Sequence, residues 1–526
     1  MFCIPQKVNR ELKKLLENDK MSQKKLIEMS SEEREALFEK YMGKPYSKEL
    51  NDRFIRKFNT NLSKEEFKDI SEKLAKINEE KATNPILTEA QWKQQGATKW
   101  ARDYVDLMSE IDNKINPTNE LNLGQTIKTS IKGGIDKIKN QDTKLQGAVE
   151  IAKVPFKIVG SPIYKSLKAA VDASFALRQG FKVFTKSPKT WWKYIGKSFE
   201  IFKNIKSQKQ MNAVMNEFKA IMLSHPNYEA LVQDGKLAIG VVEEFFPTAV
   251  VDKIPALGNI FKASNESFTI FSQGARFDIA NELYKKQLLK VGRELTKDEL
   301  KAIGQISNSI TGRGSLGKLE PMSKYLNDLF FSARYVKSAI DTFTMPFSKK
   351  LTPFARQEAL KHSVTTLGAI GAIMATASIF TEVNTDPFSS KFGKAKLPGK
   401  DNWVDLTAGL GSYITLVARQ ATGNYTTASG YNRKLNTGEY GSPTRASVAG
   451  DFVSNKLSPF AGTVYNVIGK GQMFDGEEPT YLGVARNLIA PITADNFIDY
   501  LQNEDTATAL LLLGLEGLGA NVRTPY

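Results

Sequence analysis

Ser309-Ile310-Thr311-Gly312-Arg313-Gly314-Ser315-Leu316-Gly317 separates two segments that both carry helical patterning. The upstream segment opens at Thr296-Lys297-Asp298-Glu299, a capping box in which the Thr hydroxyl and Glu carboxylate satisfy free backbone N–H groups. Leu300, Ile303 and Ile310 then fall near one helical face. Gly312, Gly314 and Gly317 permit positive φ and close backbone approach, so the chain can turn sharply there. Beyond them, Leu326, Leu329, Phe330 and Tyr335 begin a second apolar stripe. The spacing predicts a helix–helix joint with Thr311, Gly312, Arg313, Gly314 and Gly317 as its structural turn. Arg313 is expected to be buried there, tying neighbouring helix ends through its fork of donors.

Gly312-Arg-Gly314-Ser-Leu-Gly317 also matches G-x-G-x-x-G. That pattern binds a dinucleotide only after a strand and at the start of a helix. Here it follows a helix. Lys318 is followed by Leu319 rather than Ser or Thr, so it is not a P-loop, and the chain has no His-Arg-Asp or Asp-Phe-Gly. No nucleotide site is expected.

The chain has 526 residues, 41% hydrophobic and 25% charged, the composition of a folded protein with a sizeable core. Net charge is +16, which favours nucleic acid, anionic lipid or an acidic partner without choosing among them. Cys3 is the only cysteine, and His225 and His362 are the only histidines. An intrachain disulfide, a thiolate metal centre and a multi-imidazole zinc site are thereby excluded. Both histidines are expected at surface or cap positions. No enzyme constellation, cofactor or metal is expected. Met1–Lys13 lacks an apolar run of signal-peptide length, so no secretory signal is expected.

Residues 1–120 form a charged helical region with narrow apolar stripes, and 121–150 a linker around Gly133-Gly134. Residues 151–350 form a basic, aromatic helical domain ending in the Gly-rich turn. Between Lys153 and Lys209 the only acidic residues are Asp172 and Glu200, while aromatics are interleaved with Lys and Arg. Such a mixture can hold a nucleic-acid backbone while bases stack on rings. It can equally lie on an anionic bilayer, or form a core with a solvated lysine face. Arg178, Lys182, Lys189, Trp191, Trp192 and Lys193 are the candidate contacts for an anionic partner.

Residues 351–526 form a C-terminal helical region. Within it, Ser363–Phe380 carries no charge, and its length is at the lower limit for a membrane span. It fits either a buried helix or a span. Its many Gly and Ala residues favour burial among other helices, with Ala372 inside. Ala395-Lys-Leu397 and Trp403-Val-Asp-Leu406 flank a turn-rich stretch and predict a β-hairpin. Residues 423–445, rich in Gly, Asn, Thr and Ser, are expected to be an exposed loop. The fold class expected is mainly α, a multi-helix array with one small β-hairpin at about residues 394–406.

Several short motifs recur in order. They are Phe175-Ala-Leu-Arg178-Gln-Gly180, Pro188-Lys-Thr-Trp191-Trp192-Lys193, Ser264-Asn-Glu266 leading to Arg276-Phe-Asp278, Thr311–Gly317, Leu329-Phe-Phe-Ser-Ala-Arg334, Asp386–Lys394 and Asp405-Leu-Thr-Ala-Gly409. In this order the chain resembles the large polyvalent protein-associated domains of phages and mobile elements, in particular the one numbered thirty-eight. The resemblance implies a mostly helical, non-catalytic module that enters a host cell with invading DNA. The chain departs from that pattern in being short, with no enzyme domain fused to it. The expected function is that of a structural, virion-associated or DNA-delivered protein acting by binding, with other virion proteins as partners. DNA, an anionic membrane and further copies of the chain stay open as partners. The expected location is the virion or the bacterial host cytoplasm, with or without membrane association. The alternative is a membrane-active component of DNA ejection that inserts residues 363–380.

Overall fold

The computed structural model describes residues 64–84, 86–115, 180–239, 257–323, 326, 330, 332–397, 403–427, 429–438, 442–457 and 522–523. The 121–150 linker, Arg178 and the tip of the predicted hairpin lie outside them. The chain divides into two compact units, one of Met1–Asn84 with Asp103–Asn119, the other of Pro85–Arg102 with Glu120–Tyr526.

In the first unit, α1 (Lys64–Thr83) buries Ile70 and Ile77 seven residues apart, a narrow seam of two helical turns. Lys73 on its surface pairs with Asp69 at 2.8 Å and with Glu110 at 3.3 Å.

The second unit begins with α2 (Glu89–Gln95), which has a complete Thr88–Gln91 capping box. The helix α3 (Lys99–Ile115) contributes residues to both units. There follow α4 (Gly180–Lys186), α5 (Pro188–Lys203), α6 (Gln208–Leu223) and the 35-residue α7 (Leu257–Val291). Residues Ile270 to Phe277 of α7 are buried without a break, so water is excluded from the whole circumference of the helix there. The apolar and small residues of the stretch suit that position, and its two long polar side chains, Gln273 and Arg276, are enclosed with them. The approach of α5 to α7 is close because Gly274 lies under the Tyr194 ring. Ser198 and Ser267 reinforce it, each hydroxyl donating to the other's carbonyl at 2.9 Å.

After α7 comes α8 (Lys297–Ile310), capped as expected by Thr296 and Glu299, with Leu300, Ile303 and Ile310 buried. Then come a 3-10 turn (Gly317–Met322), α9 (Ala333–Thr344) and α10 (Pro353–Ala377). One core joins α4 to α8 and the start of α10. A smaller cluster, with Ala339, Ile370, Met374, Leu410 and Tyr413 at its centre, lies beyond it.

The predicted hairpin is present. Strand β1 (Lys394–Lys396) pairs antiparallel with β2 (Trp403–Asp405) in the register Ala395 to Val404. Next come α11 (Gly411–Thr422), β3 (Asn424–Thr426), β4 (Asn432–Lys434), α12 (Arg445–Ser454) and β5 (Val522–Arg523), which adds to β2. The fold is therefore mainly α with small antiparallel pairings. The β3–β4 hairpin lies where composition predicts a loop. Side-chain bonds explain the difference, since the Thr426 hydroxyl is held by Asp386 and Asn432 at 2.5 and 2.6 Å.

The expectation that residues 363–380 are surrounded by other helices is overturned. Helix α10 ends at Ala377, so its uncharged part runs only from Ser363 to Ala377, about 22 Å at 1.5 Å per residue and short of a ~30 Å hydrocarbon core. Among the described residues no helix is long and apolar enough to cross a membrane. Beyond Ser363 the buried positions are Thr366, Ile370 and Met374, four residues apart, while Val364, Leu367, Gly368, Gly371, Ala372 and Ile373 are exposed. Among the described residues of this part of α10, one stripe is buried. Ala372→Lys is therefore expected to leave the thermal midpoint within about 2 °C of wild type, as for other surface changes. Ile370→Lys buries a charge and should cost on the order of 3 kcal/mol or more, read in the same melting experiment.

Candidate functional site

Two places gather the residues singled out by the sequence: the joint after α8 and the outer side of α5. At the joint, Gly312 has φ +89° and Gly317 φ +57°. Gly314 serves differently. Its N–H donates to the Arg334 carbonyl at 3.0 Å, and a Cβ there would lie 2.5 Å from the Ser338 nitrogen. The glycine lets the turn press against α9.

Arg313 is half-buried, and two cations distant in sequence also tie this helix end. Arg276 of α7 is fully buried and donates from Nε to the Thr311 hydroxyl at 2.8 Å and from Nη1 to the Ala238 carbonyl at 2.5 Å. Lys182 of α4, expected on the surface for an anionic partner, is 1% exposed. Its Nζ donates to the Ser309 carbonyl at 2.9 Å, to the Ser338 carbonyl at 3.2 Å and to the Ser338 hydroxyl. Asp341 lies beside this cluster, accepting from the Ser309 hydroxyl at 3.0 Å and from Lys337. Burial pushes the Lys182 ammonium down to about 7 against the opposing charge of Asp341.

A lysine of lowered basicity beside a serine hydroxyl is the arrangement of an activated nucleophile, and nothing in the local sequence announces it. Ser338 is completely buried. The cavity lined by Ser309, Asp341 and His362 holds about 10 Å³, room for a single water. The bonds of Lys182 and Ser338 to the Ser309 carbonyl join α4, α8 and α9.

Four residues on from Lys182, Lys186 reaches Glu358 of α10 at 3.0 Å, where Lys286 and Lys361 converge at 2.5 and 3.2 Å. Burial alone would raise the Glu358 carboxyl. The hydrogen bonds from Lys286 and Lys186 outweigh it and hold the pKa at about 2.

Both histidines are buried, contrary to expectation. His225 lies edge-on between Trp92 and Phe277, with centroids at 4.5 and 4.8 Å, and its Nδ1 accepts the Asn227 N–H at 3.0 Å. Burial lowers its pKa to about 4. For His362, burial followed by the charges of Lys182 and Lys186 lowers it to about 3. Both stay neutral at ordinary pH. Among the described residues no group of three or more His, Cys, Asp or Glu could hold a metal ion.

The remaining candidates lie on α5. Ser187 caps the helix and Pro188 starts it with its φ already helical. The inner face, with Thr190, Tyr194, Ile195, Ser198 and Ile201, is buried. Trp191 is half-buried against the main core, so it is a packing residue first. Lys189, Trp192 and Lys193 are exposed, and Lys193 pairs with Asp278 at 2.6 Å. Phe199, one of the interleaved aromatics, and Lys203 belong with them, although neither is among the candidate contacts named from the sequence. Lys189, Trp192, Gly196, Phe199 and Lys203 recur at three- and four-residue steps and form one outer stripe. Trp192 is 64% and Phe199 55% exposed.

The chain matches no family model, no curated protein and no solved structure.

Two expected outcomes test the joint. Folded Lys182 sheds its proton near pH 7, whereas the unfolded chain keeps it to about 10.5. The unfolded state binds more protons across that window, so Lys182 makes stability rise with pH from 7 towards 10.5 and gives no slope well below 7. Wild-type melting midpoints should therefore climb between about pH 7 and 9.5, and Lys182→Met should flatten that climb. Gly314→Val should cost on the order of several kcal/mol in chemical denaturation, because the α9 backbone cannot retreat.

Proposed function

We propose that this chain is a non-enzymatic structural protein of a phage or mobile element, carried with the particle or delivered with DNA, that acts by binding an anionic partner. The observation that carries the binding part is the outer stripe of α5. It sets two large exposed aromatics between lysines on a helix whose other face is locked into the core. Among the described residues Lys189, Lys203, Lys206 and Lys209 form no ion pair. Exposed apolar side chains grouped on one face of a folded chain mark interaction sites more often than chance.

The phage or mobile-element part rests on the ordered motifs. Their polar residues are used within the fold: Arg276 holds Thr311, Asp278 holds Lys193, and Asp405 accepts from the backbone of Thr407 and Gly409 at 2.7 and 3.0 Å. Motifs whose charges are engaged inside the fold support a scaffold reading. Other virion proteins as partners, and a location in the particle and then the bacterial host, belong to the same proposal.

Binding to DNA or to anionic liposomes is expected at about 50 mM salt and should fall steeply by about 500 mM. No binding at low salt, or binding that salt leaves unchanged, would remove the anionic-partner reading.

A further inference from the structure

We infer that the partner of the α5 outer stripe is the surface of an anionic lipid bilayer, on which the helix lies flat without crossing it. This rests on the anionic-partner reading above and names the partner. Helix α5 is apolar on two opposite sides. Tyr194, Ile195 and Ile201 face the core, and Trp192 and Phe199 face out. The core explains the first set, while the second stays largely in solvent, touched only at an edge by Trp191 and Phe202. Phe184, at the end of α4, is also exposed and meets Trp191 edge-on at 5.7 Å, with Trp192 4.7 Å from Trp191. The exposed aromatics thus continue around the start of the helix.

The composition of the stripe selects lipid over nucleic acid. Its cations are all lysines, with Lys189 and Lys203 at its two ends and Lys193 beside it. Lysine stems run along apolar surface while the ammonium stays at headgroup level. A phosphodiester backbone is better gripped by the planar fork of arginine, and α5 has none. No Asn, Gln, Ser or Thr lies on the stripe to read a base edge. Trp192 meets Trp191 with the ring planes at 84°, so one face of that pair is closed to a stacking base by the edge of its neighbour. Trp and Phe on one side of a helix with lysines around them is the arrangement that buries rings just below the headgroups. Gly196 lies between the two rings with nothing within 4 Å of a Cβ placed there, so no side chain keeps the helix off the surface.

The full chain is tested by flotation with vesicles of phosphatidylcholine alone, vesicles containing phosphatidylglycerol, and single- and double-stranded DNA. The expected result is binding to the anionic vesicles, weak binding to the neutral ones, and about a tenfold or greater loss of vesicle affinity in Trp192→Ala/Phe199→Ala. Since Trp192 touches Trp191, Phe199→Ser is run beside it as a milder variant, with melting curves for both. Brominated lipid should quench wild-type tryptophan fluorescence and quench Trp192→Phe less. Vesicle binding that neither Phe199→Ser nor the folded double variant weakens overturns the inference. So does DNA binding without vesicle binding, which keeps the anionic-partner reading and assigns the stripe to nucleic acid. Binding to neither removes both.

Discussion

The last turn of α8 is held by buried cations, and the arrangement of the second unit depends on that. The final carbonyls of a helix have no intrahelical donors and carry partial negative charge. The Ser309 carbonyl meets this need with Lys182 Nζ and the Ser338 hydroxyl, at 2.9 and 2.8 Å. Just beyond, Thr311 receives Arg276. The requirement is reciprocal, because a buried charge without acceptors is far more costly than a pair left in water. The cations come from α4 and α7, so those helices and α9 have one mutual placement in which Lys182 Nζ and Arg276 Nε and Nη1 all reach acceptors. Gly312 and Gly314 let the backbone come close enough for it.

Much of this was legible where the signal is local. The Thr296–Glu299 cap and the β1–β2 hairpin each depend on residues a few positions apart, and each is found. The joint itself was legible through its glycines. Its chemistry was not, because Lys182 finds its acceptors 127 and 156 residues away. A lysine that ends in the core has the same neighbours in sequence as one that ends in water. Arg313 was the plausible tie by proximity, whereas Arg276 reaches the same turn from another helix. The histidines failed for the same reason, since the aromatic cage of His225 comes from α2 and α7.

Counting charges along the chain therefore overstates what a basic stretch offers to a partner. Between α4 and the end of α5, Lys182, Lys186 and Lys193 are engaged by backbone carbonyls, by Glu358 and by Asp278. The positive surplus left for solvent comes from lysines such as Lys189 and Lys203, which fall on one side of α5 because the other side is apolar and buried. Burial thus sorts an unpatterned run of lysines into internal ties and an outward face. The sorting follows helical phase rather than local charge density.

Helices α5 and α10 both expose apolar side chains, and the difference between them decides how each can act. Beyond Ser363 the outer side of α10 carries Val364, Leu367 and Ile373 among Gly, Ala and Thr, with no charge to orient a partner. The outer side of α5 sets two rings among lysines. Its helix is also fixed at the back by the Ser198–Ser267 exchange and by Tyr194 lying on Gly274. A face held this way loses little conformational freedom when it is covered, so more of the burial free energy of Trp192 and Phe199 is available for binding. The core contacts of α5 are in this sense part of its outer surface. Loosening the inner face would weaken an outer contact without touching any residue that makes it.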